Sequence, residues 1–217
     1  MKYKLVIFDL DGTLLNTLED LAGALNYALT AHGYPERSLR EVRGFVGCGI
    51  RKLVERGLPP GVSADGADRV LTSFHAYYRE HSADKTVPYD GITELLERLR
   101  GSGLLLAVVS NKADYAVQYL CDYFFPGFLN VCVGEREGMR RKPYPDLPEY
   151  VLKLLNVKAE ESVYIGDSEI DLQTAANSGL DCISVGWGFK TPDFLKRSGA
   201  TVIFGSPQAL GEFLLSE

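Results

Sequence analysis

The chain has 217 residues, of which 46% are hydrophobic and 24% charged, a composition typical of a soluble globular protein. This length suits one large domain or a core with a small insertion. The net charge of −6 argues against a basic nucleic-acid-binding surface, so an anionic ligand would need a local positive site.

The N-terminal segment and the cysteines indicate the compartment. The first apolar run stops at Asp9, which is too short for a signal peptide, and no stretch is long enough to span a membrane. We therefore expect a cytoplasmic protein without a membrane partner. The cysteines have no C-x-x-C spacing, and we expect them to be reduced thiols: Cys48, Cys121, Cys132 and Cys182.

The first predicted strand is the apolar run LVIF at residues 5–8, which suits a strand buried on both faces. Asp9 and Asp11 follow it immediately. A carboxylate at the edge of a core loses hydration, and two neighbouring carboxylates repel each other. Unless the stretch is only an Asp-Gly turn, a cation is expected between these two side chains.

Residues 15–85 carry only helical patterns. The first helix is predicted to begin after Thr17 as its N-cap and to stop near Gly33. Further helical segments follow at 38–45, 49–58 and up to His81. Because this insertion follows the first strand, we expect it to be a cap over the carboxyl ends of the strands, where open α/β sheets bind ligands.

The rest of the chain alternates between short β-rich runs and helical patterns. The strand-like runs are residues 5–8, 104–110, 128–134, 162–167, 181–187 and 201–204. This alternation predicts an α/β fold with a doubly wound (Rossmann-like) parallel sheet and a small α-helical cap inserted after the first strand. The predicted core is residues 1–14 and 86–217, and the predicted cap is residues 15–85.

Polar side chains follow three of these strands. A parallel sheet would gather their ends at one edge, and Lys142 in the basic segment MRRKPYPD could reach that edge. Several anionic oxygen ligands suit Mg²⁺, which commonly shares its shell with a phosphate. Uncharged donors and a lysine would bind phosphate oxygens. The residues that would meet are Asp9, Asp11, Ser110, Asn111, Lys142, Asp167 and Asp171.

This set predicts phosphoryl transfer. One of the first two aspartates could attack phosphorus and form an aspartyl-phosphate, and the other could protonate the leaving oxygen and later activate water. Each piece alone has an ordinary structural explanation, such as a helix N-cap at Ser110-Asn111 or a solvated basic loop around Lys142. Their occurrence together and in order favours the catalytic interpretation.

The stretches DLDGT (9–13), SN (110–111), KP (142–143) and GDSEID (166–171) resemble the four motifs of the haloacid dehalogenase superfamily, and within it the phosphoglycolate phosphatases. The resemblance implies that Asp9 is the nucleophile and Asp11 the acid/base. It implies a Mg²⁺ site formed by Asp9, the Asp11 carbonyl and Asp167, supported by Asp171. The implied phosphate-binding set is Thr13, which fixes the loop, with Ser110, Asn111 and Lys142.

Two features of the predicted cap concern specificity. The family usually has Asp where this chain has Asn16, near the cap hinge. We expect this difference to affect cap closure or substrate preference rather than the chemistry. The glycine-rich stretch GFVGCGIRK (44–52) is either a flexible turn or a substrate loop in which Gly47, Gly49 and Arg51 meet the non-phosphate end of the substrate. The GWGFKT stretch (186–191) is interpreted as a turn.

The leading functional hypothesis is a Mg²⁺-dependent phosphatase acting on a small phosphorylated metabolite, with phosphoglycolate as the first candidate. A β-phosphoglucomutase-type phosphotransferase and an inorganic pyrophosphatase remain open. A non-catalytic regulator that binds phosphate or Mg²⁺ is the alternative outside enzymes, although it would be expected to have lost Asp9 or Asp11. We expect no nucleic-acid partner and a monomer or homodimer.

Overall fold

The structure is a computed structural model that describes residues 2–216. The chain divides into two compact units, one formed by Asn16–Val87 and the other by Met1–Leu15 together with Pro88–Glu217. The strands, in chain order, are β1 (Leu5–Phe8), β2 (Leu15–Asn16), β3 (Val87–Pro88), β4 (Leu105–Ala113), β5 (Val131–Glu135), β6 (Ser162–Gly166), β7 (Asp181–Val185) and β8 (Ile203–Phe204).

Six of these strands form one parallel sheet in the order β5-β4-β1-β6-β7-β8. Strand β1 lies in the centre, with Leu5 opposite Leu105 on one side and Ser162 on the other. All four residues of β1 are buried, as expected for a strand covered on both faces. The predicted parallel α/β sheet is confirmed.

The helices are α1 (Leu18–Ala31), α2 (Leu39–Phe45), α3 (Ile50–Gly57), α4 (Ala64–His81), α5 (Ile92–Gly101), α6 (Asp114–Phe124), α7 (Asp146–Leu155), α8 (Glu169–Asn177), α9 (Pro192–Arg197) and α10 (Pro207–Ser216). On one face of the sheet, Leu5 and Ile7 pack with Leu147 and Val151 of α7 and Ala175 of α8. This packing fixes the strand ends from which the functional side chains project.

The unit Asn16–Val87 contains helices α1 to α4. Helix α1 ends in a Schellman motif, in which the N–H of Tyr34 donates to the carbonyl of Leu29 and the N–H of Gly33 donates to that of Thr30. Thr17 is its N-cap residue, although the cap has no side-chain hydrogen bond. Helix α2 begins with a capping box between Ser38 and Glu41.

Three details differ from the sequence-based expectation. The insertion is not purely helical at its start, because β2 pairs with β3 in a two-stranded ribbon. Strands of two residues are too short to give a period-two pattern. Strand β4 continues to Ala113 rather than ending at residue 110, and its pairing with β5 shifts register between Val109 and Ala113. Other strand ends also differ: β5 begins at Val131 rather than residue 128, β7 ends at Val185 rather than 187, and β8 begins at Ile203 rather than 201.

No helix within residues 2–216 is both long and apolar enough to cross a lipid bilayer.

Candidate active site

Three carboxylates converge at the carboxyl ends of neighbouring strands. Asp9 directly follows β1, Asp167 directly follows β6, and Asp171 lies in the first turn of α8. Among the described residues, each of these three side chains offers an oxygen, and the oxygens lie within 4.8 Å of one another. All three residues are buried. The parallel pairing of β1 with β6 brings together positions that are more than 150 residues apart.

Lys142 places an ammonium group among these carboxylates. Its Nζ lies 3.0 Å from Oδ1 of Asp9 and 2.8 Å from Oδ1 of Asp171, and its side chain is 1% exposed. Tyr164 in β6 also contacts Lys142: its hydroxyl accepts a hydrogen bond from Nζ and donates one to the Val109 carbonyl, both at 2.9 Å. The alternative of a solvated basic loop therefore does not hold for Lys142, whereas Arg140 in the same segment is exposed and paired with Asp146.

The charges of this cluster do not balance, because three carboxylates surround one ammonium. Burial, with the charges of Asp171 and Asp11 adding to it and Lys142 opposing it, raises the pKa of Asp9 to about 7. Burial and the charges of Asp171 and Asp9 raise the pKa of Asp167 well above its ordinary value. Burial alone would lower the pKa of Lys142, but the two carboxylates it contacts raise it strongly.

These observations test whether the residues fit a metal ion. A set of buried, anionic oxygen donors with excess negative charge is the chemistry that Mg²⁺ prefers. Asp9 and Asp167 fit this role, because a cation would offset the burial and the like-charge repulsion that raise their pKa values. Asp171 links Lys142 to the start of α8: its Oδ1 contacts Lys142, and its Oδ2 accepts hydrogen bonds from the backbone N–H (3.1 Å) and hydroxyl (2.6 Å) of Ser168. It stands in the structure as a support for the cluster.

The predicted phosphate-binding residues are all buried near these strand ends. Ser110 and Asn111 lie in the last part of β4, beyond the start of its register shift. The Asn111 side-chain amide donates to the backbone carbonyl of Lys142 at 3.1 Å. The helix that follows, α6, has Ala113 as its N-cap, so Ser110 and Asn111 are not helix caps. The Thr13 hydroxyl donates to Oδ1 of Asp167 at 3.4 Å.

The Asp11 side chain lies outside the converging carboxylates. Its two oxygens accept hydrogen bonds from Nζ of Lys112 at 2.8 and 3.1 Å. Lys112 is only 3% exposed, and it directly follows the buried residues Ser110 and Asn111 in the sequence. Lys112 is not among the predicted site residues, and its position next to the SN motif is the only signal for it in the sequence.

The GWGFKT stretch, predicted only as a turn, also contacts the candidate site. The backbone N–H of Phe189 donates to Oδ2 of Asp167 at 2.6 Å, and the indole N–H of Trp187 donates to the Thr13 carbonyl at 3.0 Å. A Cβ at Gly188 would overlap the Gly12 carbonyl and the Asp167 side chain. The loop after β7 is therefore a turn that also holds Asp167 and the loop after Asp9.

The candidate specificity residues belong to the other unit. Gly47 and Gly49 both have positive φ angles, of 116° and 83°, which suit glycine. Arg51, in the first turn of α3, pairs with Asp68 at 2.7 Å, and both side chains are more than half exposed. Asn16 is also exposed.

The chain is similar in sequence to known hydrolases. The haloacid dehalogenase-like hydrolase family matches residues 6–185, which is more than half of the chain. The phosphoglycolate phosphatase of Pseudomonas syringae pv. tomato is 34% identical over 193 residues, covering 86% of this chain and 70% of that protein. The phosphoglycolate phosphatase of Psychrobacter arcticus is 30% identical over 99% of this chain and 97% of its own length.

A solved structure is similar to this chain over the whole fold. A protein from Lactobacillus delbrueckii subsp. bulgaricus, provisionally assigned as a phosphoglycolate phosphatase, superimposes with a TM-score of 0.95. It is 41% identical, and the match covers 100% of both chains.

Proposed function

This chain belongs to the haloacid dehalogenase-like hydrolases and is a phosphoric monoester hydrolase similar to phosphoglycolate phosphatases, and on that premise we propose that it hydrolyses phosphoglycolate with Mg²⁺ and through an aspartyl-phosphate on Asp9. The observation that carries the proposal is the buried cluster of Asp9, Asp167 and Asp171 around Lys142. It combines a carboxylate nucleophile with charges suited to a phosphoryl group.

In the first step, a carboxylate oxygen of Asp9 forms a bond to phosphorus while the bond from phosphorus to the glycolate oxygen breaks. Oδ1 of Asp9 accepts hydrogen bonds from the Leu10 N–H at 2.7 Å and from Lys142. We therefore assign the attack to Oδ2. Lys142 holds the nucleophile in place and offers positive charge to the transferring group.

Asp11 supplies the proton transfers. It gives its proton to the glycolate oxygen as that oxygen leaves. In the second step Asp11 accepts a proton from water, the water oxygen bonds to phosphorus, and the bond to Asp9 breaks. Inorganic phosphate is released and both aspartates return to their starting forms.

The proposed binding residues follow from their positions. Asp9, Asp167 and the Asp11 carbonyl would hold Mg²⁺, with Asp171 supporting them, and the ion would supply positive charge that stabilises the transferring phosphoryl group. Ser110, Asn111 and Thr13 would bind or frame the phosphoryl oxygens. Gly47, Gly49 and Arg51 are proposed to meet the glycolate carboxylate, because a guanidinium suits a carboxylate partner.

We also propose a cytoplasmic location, with a small phosphorylated metabolite as the partner and a monomer or homodimer as the assembly. The state of the cysteines supports the location, since all four are free thiols. Size-exclusion chromatography with light scattering would test the assembly.

The test of the proposed function is phosphate release from phosphoglycolate, other phosphomonoesters and pyrophosphate, by metal-stripped enzyme with and without added Mg²⁺. We expect Mg²⁺-dependent release from phosphoglycolate that is lost in Asp9→Asn. The control is Asp122→Asn, an exposed aspartate on α6. Preference for another ester would replace the substrate, and a requirement for a bisphosphate activator would point to the phosphotransferase.

A further inference from the structure

Lys112 forms a buried, forked contact with the proposed acid/base. Resting on the proposed function, we propose that Lys112 is a positioning residue that holds the Asp11 carboxylate in place for proton transfer to the leaving group. Its Nζ contacts both oxygens of Asp11, at 2.8 and 3.1 Å. Contacts from Nζ to both oxygens fix the direction in which the carboxylate points.

The backbone around Lys112 explains how it reaches Asp11. Ser110, Asn111 and Lys112 are all buried, as expected for a strand covered on both faces, so burial alone does not explain the direction of the Lys112 side chain. Strand β4 shifts register between Val109 and Ala113, and such irregularities bend a strand and re-aim its side chains. The Lys112 N–H also donates to Oγ of Ser110 at 3.3 Å, which ties the lysine to the proposed phosphate-binding segment.

A purely structural role explains this contact less well. The side chains of Lys112 and Asp11 are only 1% and 14% exposed. Desolvation of two charges offsets much of their attraction, so a buried ion pair is a weak way to increase stability. Lys112 lies near the end of β4, directly after two proposed phosphate ligands. This position is better explained by a role in orienting Asp11.

The position of Asp11 shows why such control is needed. Asp9 and Asp11 are separated by one residue, and the carboxylates of Asp9, Asp167 and Asp171 already converge. A fourth carboxylate there would increase the repulsion. Lys112 compensates the charge of the ionised Asp11, which is the form that accepts a proton from water, and keeps its side chain out of that group. In the protonated form, one oxygen still accepts a hydrogen bond from Lys112 and the other carries the proton for the leaving oxygen. The two buried lysines therefore divide the work: Lys142 holds the nucleophile, and Lys112 holds the acid/base.

The test compares kcat/KM for two esters, phosphoglycolate and p-nitrophenyl phosphate. For both, this ratio reports the steps up to departure of the leaving group. Glycolate is a poor leaving group that needs a proton, whereas p-nitrophenolate leaves without one. In Lys112→Met we expect kcat/KM for phosphoglycolate to fall by about 10- to 100-fold. The value for p-nitrophenyl phosphate should stay within about threefold, because the chemistry of Asp9 is intact.

The quotient of the two kcat/KM values does not depend on the fraction of enzyme that is folded, so partial unfolding cannot imitate the result. Lys112→Arg is the second variant; it keeps a charged donor and should restore most of the quotient. Lys158→Met, an exposed lysine paired with Glu160 at 3.6 Å, is the control and should leave both values unchanged.

A double-mutant cycle with Asp11→Asn completes the test. If Lys112 acts through Asp11, adding Lys112→Met to Asp11→Asn should lower kcat/KM for phosphoglycolate by no more than about twofold. An equal loss for both esters in Lys112→Met, or a full further loss in the double variant, would overturn the inference and assign Lys112 to phosphate binding or folding. If wild type and Asp11→Asn hydrolyse phosphoglycolate equally, the proposed acid/base role of Asp11 fails and this inference with it. If wild type releases no phosphate from phosphoglycolate, the proposed function itself fails.

Discussion

Asp20 in the unit Asn16–Val87 and the Asp9 cluster in the other unit are both buried, but they are compensated differently. Asp20 accepts hydrogen bonds from the backbone N–H groups of Lys85 and Thr86 and from the Thr86 hydroxyl, at 2.8 to 3.0 Å. Neutral donors form hydrogen bonds to both oxygens of this carboxylate, as expected for a structural role. In the other unit, three carboxylates compete for the single ammonium of Lys142.

The difference separates a carboxylate that stabilises the fold from carboxylates kept for chemistry. Donors that belong to one loop hold Asp20 and link α1 to the segment that leads into β3. The crowded carboxylates retain unfavourable interactions that the raised pKa values of Asp9 and Asp167 express. Such strain is expected where a ligand supplies the missing charge.

The largest effect should come from Asp9→Asn. Loss of the nucleophile should lower kcat/KM for phosphoglycolate by about 10³-fold or more, and loss of one crowded carboxylate should raise the melting temperature of the metal-free protein. Phosphate release and differential scanning calorimetry measure the two quantities. A lower melting temperature than wild type would show that the cluster is balanced after all, and that the contrast with Asp20 is false.

The converse variant is Asp20→Asn. Its amide would direct an N–H₂ group at donors that need an acceptor, so we expect the free energy of unfolding to fall by about 1.5–3 kcal/mol. Urea denaturation at pH 7.5 measures this, with Asp65→Asn, an exposed aspartate of α4, as the control. When assayed well below its melting temperature, Asp20→Asn should keep kcat/KM within about threefold. A stability equal to wild type would contradict the structural role of Asp20.

A third test uses pH. Since the pKa of Asp9 is raised to about 7, protons compete with a metal ion below that pH. The Mg²⁺ affinity should therefore fall by about tenfold or more between pH 8 and pH 6 and should change less above pH 8. Isothermal titration calorimetry in several buffers measures both the affinity and the protons released. An affinity independent of pH over this range would mean that Asp9 does not bind the ion.

The smallest effect on stability is expected for Arg51→Met. Its ion pair with Asp68 is exposed, so the free energy of unfolding should change by less than about 1 kcal/mol. If Arg51 meets the substrate carboxylate, KM should rise for phosphoglycolate and stay unchanged for p-nitrophenyl phosphate. The matched control is Arg69→Met, another exposed arginine of the same unit. Equal KM changes for both esters would remove Arg51 from the specificity hypothesis.

Most of the sheet could be predicted from the sequence. Apolar runs such as residues 5–8 and 162–166 mark buried parallel strands, and the helical patterns between them require crossover connections. The ribbon of β2 and β3 could not be predicted, because two residues carry no periodic signal. The extension of β4 to Ala113 was also missed, because SNK is a polar sequence that becomes strand only through its pairing with β5.

For the candidate site, the sequence determined which chemical groups stand at the strand ends. Asp9, Asp167 and Lys142 could be grouped in advance because parallel strands present their carboxyl ends at one edge. Only the tertiary structure decided the partner of each group: Lys112 for Asp11, Tyr164 for Lys142, and the loop after β7 for Asp167. These contacts depend on strand register, on the irregularity in β4 and on burial, and no local pattern records distances between residues that are far apart in the chain.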